Sequence, residues 1–180
     1  MAIKIRDFEV RLTRNKEERK QVRQLRYSVF VQEEGAYATE EQRALGEEYD
    51  AYDRYAEYMA VFHNGRVVGT YRIIDRNAAE KMGGFYTENE FNISKIKKYN
   101  GNIVEMSRAC VAREYRENAL VMRLLWAGLG EMIMRRKIEI LCLFLVLEKR
   151  SYRFLPHAFH AILYAYHYVS HALVERFPQQ

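Results

Sequence analysis

Apolar and polar residues alternate through Ile3, Ile5, Phe8, Val10 and Leu12, a period of two that predicts a first strand over residues 3–12. From Lys16 to Glu33 the period lengthens. Val22, Leu25, Val29 and Phe30 recur at helical spacing, predicting an amphipathic helix whose end Gly35 marks. Residues 36–52 are acidic and aperiodic, which predicts a loop with at most one helical turn. Two strand-like runs, Tyr58–His63 and Arg66–Asp75, flank Asn64-Gly65, the dipeptide that favours a two-residue type I′ hairpin turn. Residues 77–101 read as loop and short helix carrying Gly83-Gly84 and two exposed aromatics, Phe85 and Phe91. Asn102–Val111 is a mixed apolar and polar strand, and Asn118–Arg136 is a helix. One face of that helix carries Leu120, Val121, Leu124, Leu125, Leu129, Met132 and Ile133. Ile138–Leu147 reads as a buried strand, and a last helix is expected over His157–Val169. A central strand, a helix and a buried strand in succession imply a parallel crossover, so the predicted class is mixed α/β.

Composition narrows this little. The 180 residues fit one domain, and with two prolines and nine glycines nothing suggests a linker. The start, MAIKIRDFEV, is charged and alternating, unlike a signal peptide. The longest apolar run, Ile138–Leu147, contains Glu139 and is too short to cross a bilayer. A cytoplasmic protein with Cys110 and Cys142 as buried free thiols is therefore expected. The net charge of +5 would attract an anionic partner. Its basic residues are interleaved with acids, as in Lys16-Glu17-Glu18-Arg19-Lys20, and no nucleic-acid-binding signature is present, so no nucleic-acid partner is expected.

The segment NIVEMSRACV sets Glu105 and Arg108 three residues apart inside a run otherwise suited to burial. Charged side chains are seldom buried without a partner or a task. From residue types alone, a salt-bridge network that braces the sheet and an active site are both open readings. In a regular strand the two side chains would face opposite sides. A β-bulge between them would turn both toward one cleft.

Asp50 and Asp53 stand in the acidic cluster Glu47-Glu48-Tyr49-Asp50-Ala51-Tyr52-Asp53, which lacks calcium-loop spacing. It reads either as a solvated loop or as a wall that grips an amine or an arginine. Arg26 lies near the apolar face of the first helix and Arg72 within the apolar run Val67–Ile74. Each either snorkels to solvent or joins a network Arg26–Asp50/Asp53–Arg72. His157, His160, His167 and His171 lack the context of a metal site, so no metal is expected.

Taken in order, LRYSVFVQEEGA (25–36), DAYD (50–53), VVGTYRIID (67–75), FYTENEF (85–91) and VEMSRACVAREYR (104–116) resemble the GNAT-related acyltransferases that take a fatty acyl chain from acyl carrier protein. The resemblance is strongest to ornithine-lipid N-acyltransferases and long-chain N-acyl amino acid synthases. Acyl-homoserine-lactone synthases share the skeleton of Arg-x-x-x-Phe, Asp-x-x-Asp, a strand arginine and Glu-x-Ser-Arg. The likeness covers about residues 20–130. It implies a GNAT fold and a bacterial acyltransferase spanning residues 1–180 as one domain.

On that resemblance Glu105 is the general base and Arg108 completes the catalytic pair. Arg26, Asp50, Asp53 and Arg72 shape the acceptor site, and Met59, Phe85, Phe91, Met106 and Phe144 line the acyl tunnel. Acetyl-CoA-using relatives carry an Arg/Gln-x-x-Gly-x-Gly/Ala loop that holds pyrophosphate at a helix start. Here the stretch reads Arg116-Glu117-Asn118-Ala119-Leu120-Val121, without either glycine. That implies a donor on acyl carrier protein, as acyl-phosphopantetheine, with Arg113, Arg116 and Asn118 meeting the arm. Lys95, Lys97, Lys98, Arg113, Arg116 and Arg135–Lys137 would form a basic dock for the acidic carrier. An amino acid is the implied acceptor, and peripheral membrane contact is allowed. The alternatives are an acyl-homoserine-lactone synthase and a non-catalytic acyl-carrier-binding module. Against the former, Tyr37 stands near where those synthases have a tryptophan, and the chain's only tryptophan is Trp126.

Overall fold

The computed structural model describes residues 2–117 and 119–143. The run expected as one strand is two, β1 (Ala2–Ile5) and β2 (Phe8–Leu12), paired antiparallel with Ile5 opposite Phe8. Arg6 and Asp7 make the turn between them, with Arg6 at a φ of 53°. The apolar positions change from odd to even numbers across that turn, as a two-residue reversal requires.

Helix α1 (Lys16–Arg26) begins where the Asn15 side chain accepts the Glu18 N–H at 2.9 Å, with Glu17 and Glu18 in its first turn. It buries Val22, Leu25 and Arg26. The helix expected through Glu33 instead widens into a π-helical stretch, Tyr27–Glu33, which keeps Val29 buried. The acidic loop holds more structure than one turn. Helix α2 (Glu40–Leu45) starts on a Thr39/Gln42 capping box and stops at Gly46, and a 3₁₀ turn (Ala51–Arg54) starts on Asp50.

Strands β3 (Glu57–His63) and β4 (Arg66–Asp75) form the expected hairpin, with Asn64 and Gly65 at φ 50° and 80°. The Asp75 side chain caps helix α3 (Arg76–Met82), which Gly83 ends. A 3₁₀ turn (Tyr86–Asn89) and helix α4 (Ser94–Lys97) lead to β5 (Ile103–Val111). A short 3₁₀ turn (Arg113–Tyr115), helix α5 (Ala119–Arg136) and β6 (Ile140–Leu143) follow.

The six strands form one sheet in sequence order, antiparallel throughout except for the parallel β5–β6 pair that α5 connects. This is the crossover predicted from the apolar pattern. The described part of the last strand ends at Leu143. Residues beyond it, including Phe144, the helix expected over His157–Val169 and His157, His160, His167 and His171, lie outside the described residues, as does Asn118. Among the described residues no helix is long and apolar enough to cross a membrane.

Each sheet face has its own core. Helix α5 packs Val121, Leu124, Leu125 and Leu129 against Val10, Met59, Val61, Tyr71 and Met106. On the other face, Val22 and Leu25 of α1 meet Tyr58, Ala60, Phe62 and Cys110. Gly69 is where α5 comes closest to β4. A Cβ there would stand 2.7 Å from Val121 Cγ1 and 3.3 Å from Leu125 Cδ1. Both neighbours are fully buried and cannot swing aside. Gly69→Ala should therefore destabilise the protein by about 1–3 kcal/mol through overpacking, seen as a lower urea midpoint with an unchanged slope.

Candidate active site

A β-bulge is present in β5, not between Glu105 and Arg108 as expected but at Arg108 itself. Thr70 pairs with Cys110 and Arg72 with Ser107, so Arg108 and Ala109 together oppose Tyr71. Arg108 takes a left-handed φ of 52°, a conformation that costs a non-glycine residue roughly 1–3 kcal/mol. The extra residue inverts the strand's parity. Before it, Val104 and Met106 face α5; after it, Val111 does so while Cys110 joins the α1 face. Glu105, Ser107 and the Arg108 guanidinium thus all come to the α1 side of the sheet.

Three arginines and three carboxylates interlock there. Arg26, with no exposed surface, donates from Nη1 and Nη2 to the two Asp53 oxygens at 2.7 and 2.9 Å and from Nε to Glu48. Arg72, 1% exposed, donates from Nη1 to Asp50 Oδ1 at 2.6 Å and from Nε to Ser107 Oγ at 3.0 Å. Its Nη1 also lies 3.5 Å from Asp53. Arg108 completes the set, 3.3 Å from Asp50 and 3.3 Å from Glu48. The Tyr58 hydroxyl and the Asp50 N–H donate to Asp53 at 2.9 and 2.8 Å. Tyr86 lies over both Arg72 and Arg108, and Tyr52 over Arg72, at 5.4–5.7 Å.

The electrostatic consequences are consistent. Burial alone would raise the Asp53 carboxyl, but Arg26, then Arg72 and the Asp50 N–H, outweigh it and hold the group at about 2. Burial likewise opposes the charge of Arg26, yet Asp53 and Glu48 more than offset it and raise its pKa. The Tyr58 hydroxyl is raised by burial and next by the Asp53 charge.

Glu105 stands apart from this balanced set. It is fully buried, and among the described residues it has no ion pair. Its Oε2 accepts the backbone N–H and the hydroxyl of Thr87 at 2.8 and 2.7 Å. Its Oε1 is buried and has no hydrogen-bond partner among the described residues. Beside it on β6, Cys142 is raised by burial and then by the Glu105 charge. Cys110 is pushed up to about 12 by burial, and both cysteines are free thiols.

The structure sorts the other expected residues. The network anticipated among Arg26, Asp50, Asp53 and Arg72 exists, but its pairing differs: Arg26 takes Asp53 and Glu48, and Asp50 serves Arg72 and Arg108. Arg26 and Asp53 are buried and paired with each other. Asp50 and Arg108 keep 26% and 31% of their side chains exposed and are the members that solvent reaches.

Met59 and Met106 belong to the closed core under α5, on the face opposite Glu105, where packing accounts for them. Phe85, expected to be exposed, is buried with Ile74, Ile93 and Ile103, whereas Phe91 is exposed. The basic dock is partly neutralised. Arg116 is held by Glu33, Lys97 by Glu88, Arg135 by Glu131 and Arg136 by Glu57. Arg113 is exposed at the start of its 3₁₀ turn.

Glu48, Tyr58, Thr87 and Ser107 were not singled out from the sequence. Thr87 and Ser107 lie inside the stretches FYTENEF and VEMSRACVAREYR and Glu48 in the acidic cluster, and only the partners the fold brings to them distinguish them. Among the described residues no group of three or more His, Cys, Asp or Glu is arranged to hold a metal.

The bulged strand leads through a crossover helix to a parallel neighbour in one mixed α/β sheet, with a buried carboxylate on the bulged strand. Residues 25–127 match the family model described as an acetyltransferase (GNAT) domain. That is more than half of the chain, and the protein belongs to this family. It is similar to the L-ornithine N(alpha)-acyltransferase of Rhizobium meliloti (strain 1021), 33% identical over a 134-residue alignment that covers 69% of this chain and 45% of the relative. The chain spans about half the length of the curated relatives it matches.

Among solved structures, the AHL synthase LasI aligns over 74% of this chain and 70% of its own with a TM-score of 0.56 and 20% identity. FeeM, an N-acyl amino acid synthase from uncultured soil microbes, aligns over 76% and 70% with a TM-score of 0.54 and 15% identity. At these identities the likeness is one of fold.

Proposed function

We propose that this protein is an N-acyltransferase that moves a long-chain fatty acyl group from acyl carrier protein to the α-amine of an amino acid, with Glu105 as general base. The observation that carries this reading is the state of Glu105: a fully buried carboxylate with no cationic partner among the described residues and one oxygen without a hydrogen bond. A buried anion without a counter-charge among the described residues is stabilised by the arrival of a cation. An amino-acid acceptor brings an ammonium that must lose a proton before it can attack a thioester.

In that reaction Glu105 takes the proton, directly or through one water. Glu105 releases that first proton to solvent; the neutral amine nitrogen bonds to the thioester carbonyl carbon, the C–S bond breaks, and the nitrogen's second proton passes to the departing thiolate. The products are an amide and a free phosphopantetheine thiol. Arg108 and Asp50, the solvent-reached members of the network, face the acceptor, while Arg26, Asp53 and Arg72 hold them in place. The names of the ornithine-acylating relatives support an amino-acid acceptor of this kind.

A carrier-bound donor is supported by the Arg116–Val121 stretch, where Ala119 and Val121 stand at the two glycine positions and the Glu117 charge opposes a pyrophosphate. With Arg116, Lys97, Arg135 and Arg136 committed to acids, the attraction for an acidic carrier rests on Lys95, Lys98, Arg113 and Lys137. Such a donor places the reaction in the cytoplasm, and its phosphopantetheine is the only prosthetic group the chemistry needs. Mass spectrometry of lipids from cells expressing the protein tests the reading. A fatty acyl amide of ornithine, tyrosine or glycine supports it, and an acyl-homoserine lactone overturns it.

A further inference from the structure

The 3₁₀ turn that carries Thr87 is built to stay where it is. Gly83 and Gly84, at φ 85° and 153°, reverse the chain after α3, conformations that a side chain disfavours. Phe85 then anchors the segment in the core with Ile74 and Ile103. Glu88 accepts the Phe85 N–H at 2.7 Å and is itself held by Lys97 at 2.7 Å. Asn89 donates to the Tyr52 hydroxyl at 3.3 Å, tying the far end to the acidic loop. From this platform Thr87 delivers two donors, its N–H and its hydroxyl, to the same oxygen of Glu105.

A carboxylate rotates about its last bond unless something fixes it, and its two oxygens are otherwise equivalent. Here they are not. Oε2 is occupied by two hydrogen bonds to an anion, the strong class of such bonds, whereas Oε1 has none among the described residues. We propose that Thr87 is a positioning residue for the base: by holding Oε2 it fixes the carboxylate plane and makes Oε1 the oxygen that receives the acceptor's proton. This rests on the reading of Glu105 as general base and adds to it the identity of the working oxygen and of the group that selects it. Thr87 touches neither donor nor acceptor in this scheme. Its contribution is to the rate of proton transfer and not to binding.

Thr87→Val tests this, because valine keeps the branched shape and the backbone N–H and removes only the hydroxyl. With the purified protein, an acyl-carrier thioester and an amino-acid acceptor, Thr87→Val should lower kcat about 10-fold, the size of one hydrogen bond to a charged group. The acceptor KM should change by less than about 2-fold, since uniform binding is untouched. Thr87→Ser, which restores a hydroxyl, should return kcat to within about 2-fold of the wild type. In the Glu105→Gln background, adding Thr87→Val should cause no further loss.

A wild-type kcat in Thr87→Val, or a loss confined to KM that serine fails to rescue, would overturn the role of Thr87. Wild-type turnover in Glu105→Gln would instead remove the base assignment itself. The two failures are therefore read from different variants.

Discussion

Asp53→Ala is expected to destabilise the fold by about 3–5 kcal/mol, the usual cost of removing one partner from a buried ion pair. The Asp53 carboxylate receives four hydrogen bonds, two from Arg26 and one each from Tyr58 and the Asp50 N–H. Its loss leaves Arg26, without any exposed surface, dependent on Glu48 alone. It also removes a negative charge that both Arg26 and Arg72 rely on. Against a typical total of roughly 5–15 kcal/mol the variant should unfold at a much lower urea concentration. A decrease below about 1 kcal/mol would contradict the buried-brace assignment.

The same group sets an acid limit. A carboxyl held at about 2 in the fold contributes stability that is complete above its unfolded value of about 4 and is lost as pH falls through about 2. The contribution is on the order of 2 kcal/mol. Asp53→Asn, which keeps the shape, should abolish that part of the acid sensitivity.

Glu105→Gln should separate activity from stability. If Glu105 accepts the acceptor's proton, removing that capacity should lower kcat by about 10²–10⁴-fold. The fold should not suffer. The substituted amide retains a carbonyl oxygen to accept both Thr87 donors, and the change removes a buried charge that has no ion pair among the described residues to offset its desolvation. The urea midpoint is therefore expected to stay level or rise, the pattern seen where a site is held against stability for the sake of function. A large loss of stability in this variant would mean that Glu105 is a structural anion, and its loss of turnover would then say nothing about proton transfer.

Much of this was legible in the chain. The Asn64-Gly65 hairpin and the β5–α5–β6 crossover follow from turn chemistry and hydrophobic period. Parity predicts a bulge, since Glu105 and Arg108 share a face only if one residue is extra between them; the structure places it at Arg108 itself. Parity could have carried further. Once Glu105 faces one side, its neighbour Met106 must face the other, which removes it from the same cleft. The odd-to-even change between Ile5 and Phe8 marked the first turn in the same way.

What the sequence withheld are contacts between distant segments. Asp50 and Asp53 lie three apart and read alike, yet Asp53 is a buried brace and Asp50 is partly exposed, because the 3₁₀ turn points them differently. Thr87 lies inside the stretch FYTENEF, but without a period to mark its direction it gains a partner only where the chain folds back over β5. The burial of Phe85 has the same origin: no period exists in a two-glycine turn to report which aromatic points inward.

The most direct test of the function is the regiochemistry of a single reaction. Purified protein is incubated with a long-chain acyl thioester of acyl carrier protein and ornithine, and the product is analysed by fragmentation mass spectrometry. The expected result is an amide on the α-nitrogen, formed by the wild type and reduced about 10²–10⁴-fold in Glu105→Gln. An intact thioester with the amino acids ornithine, tyrosine and glycine alike, or equal amide formation by both proteins, would contradict it.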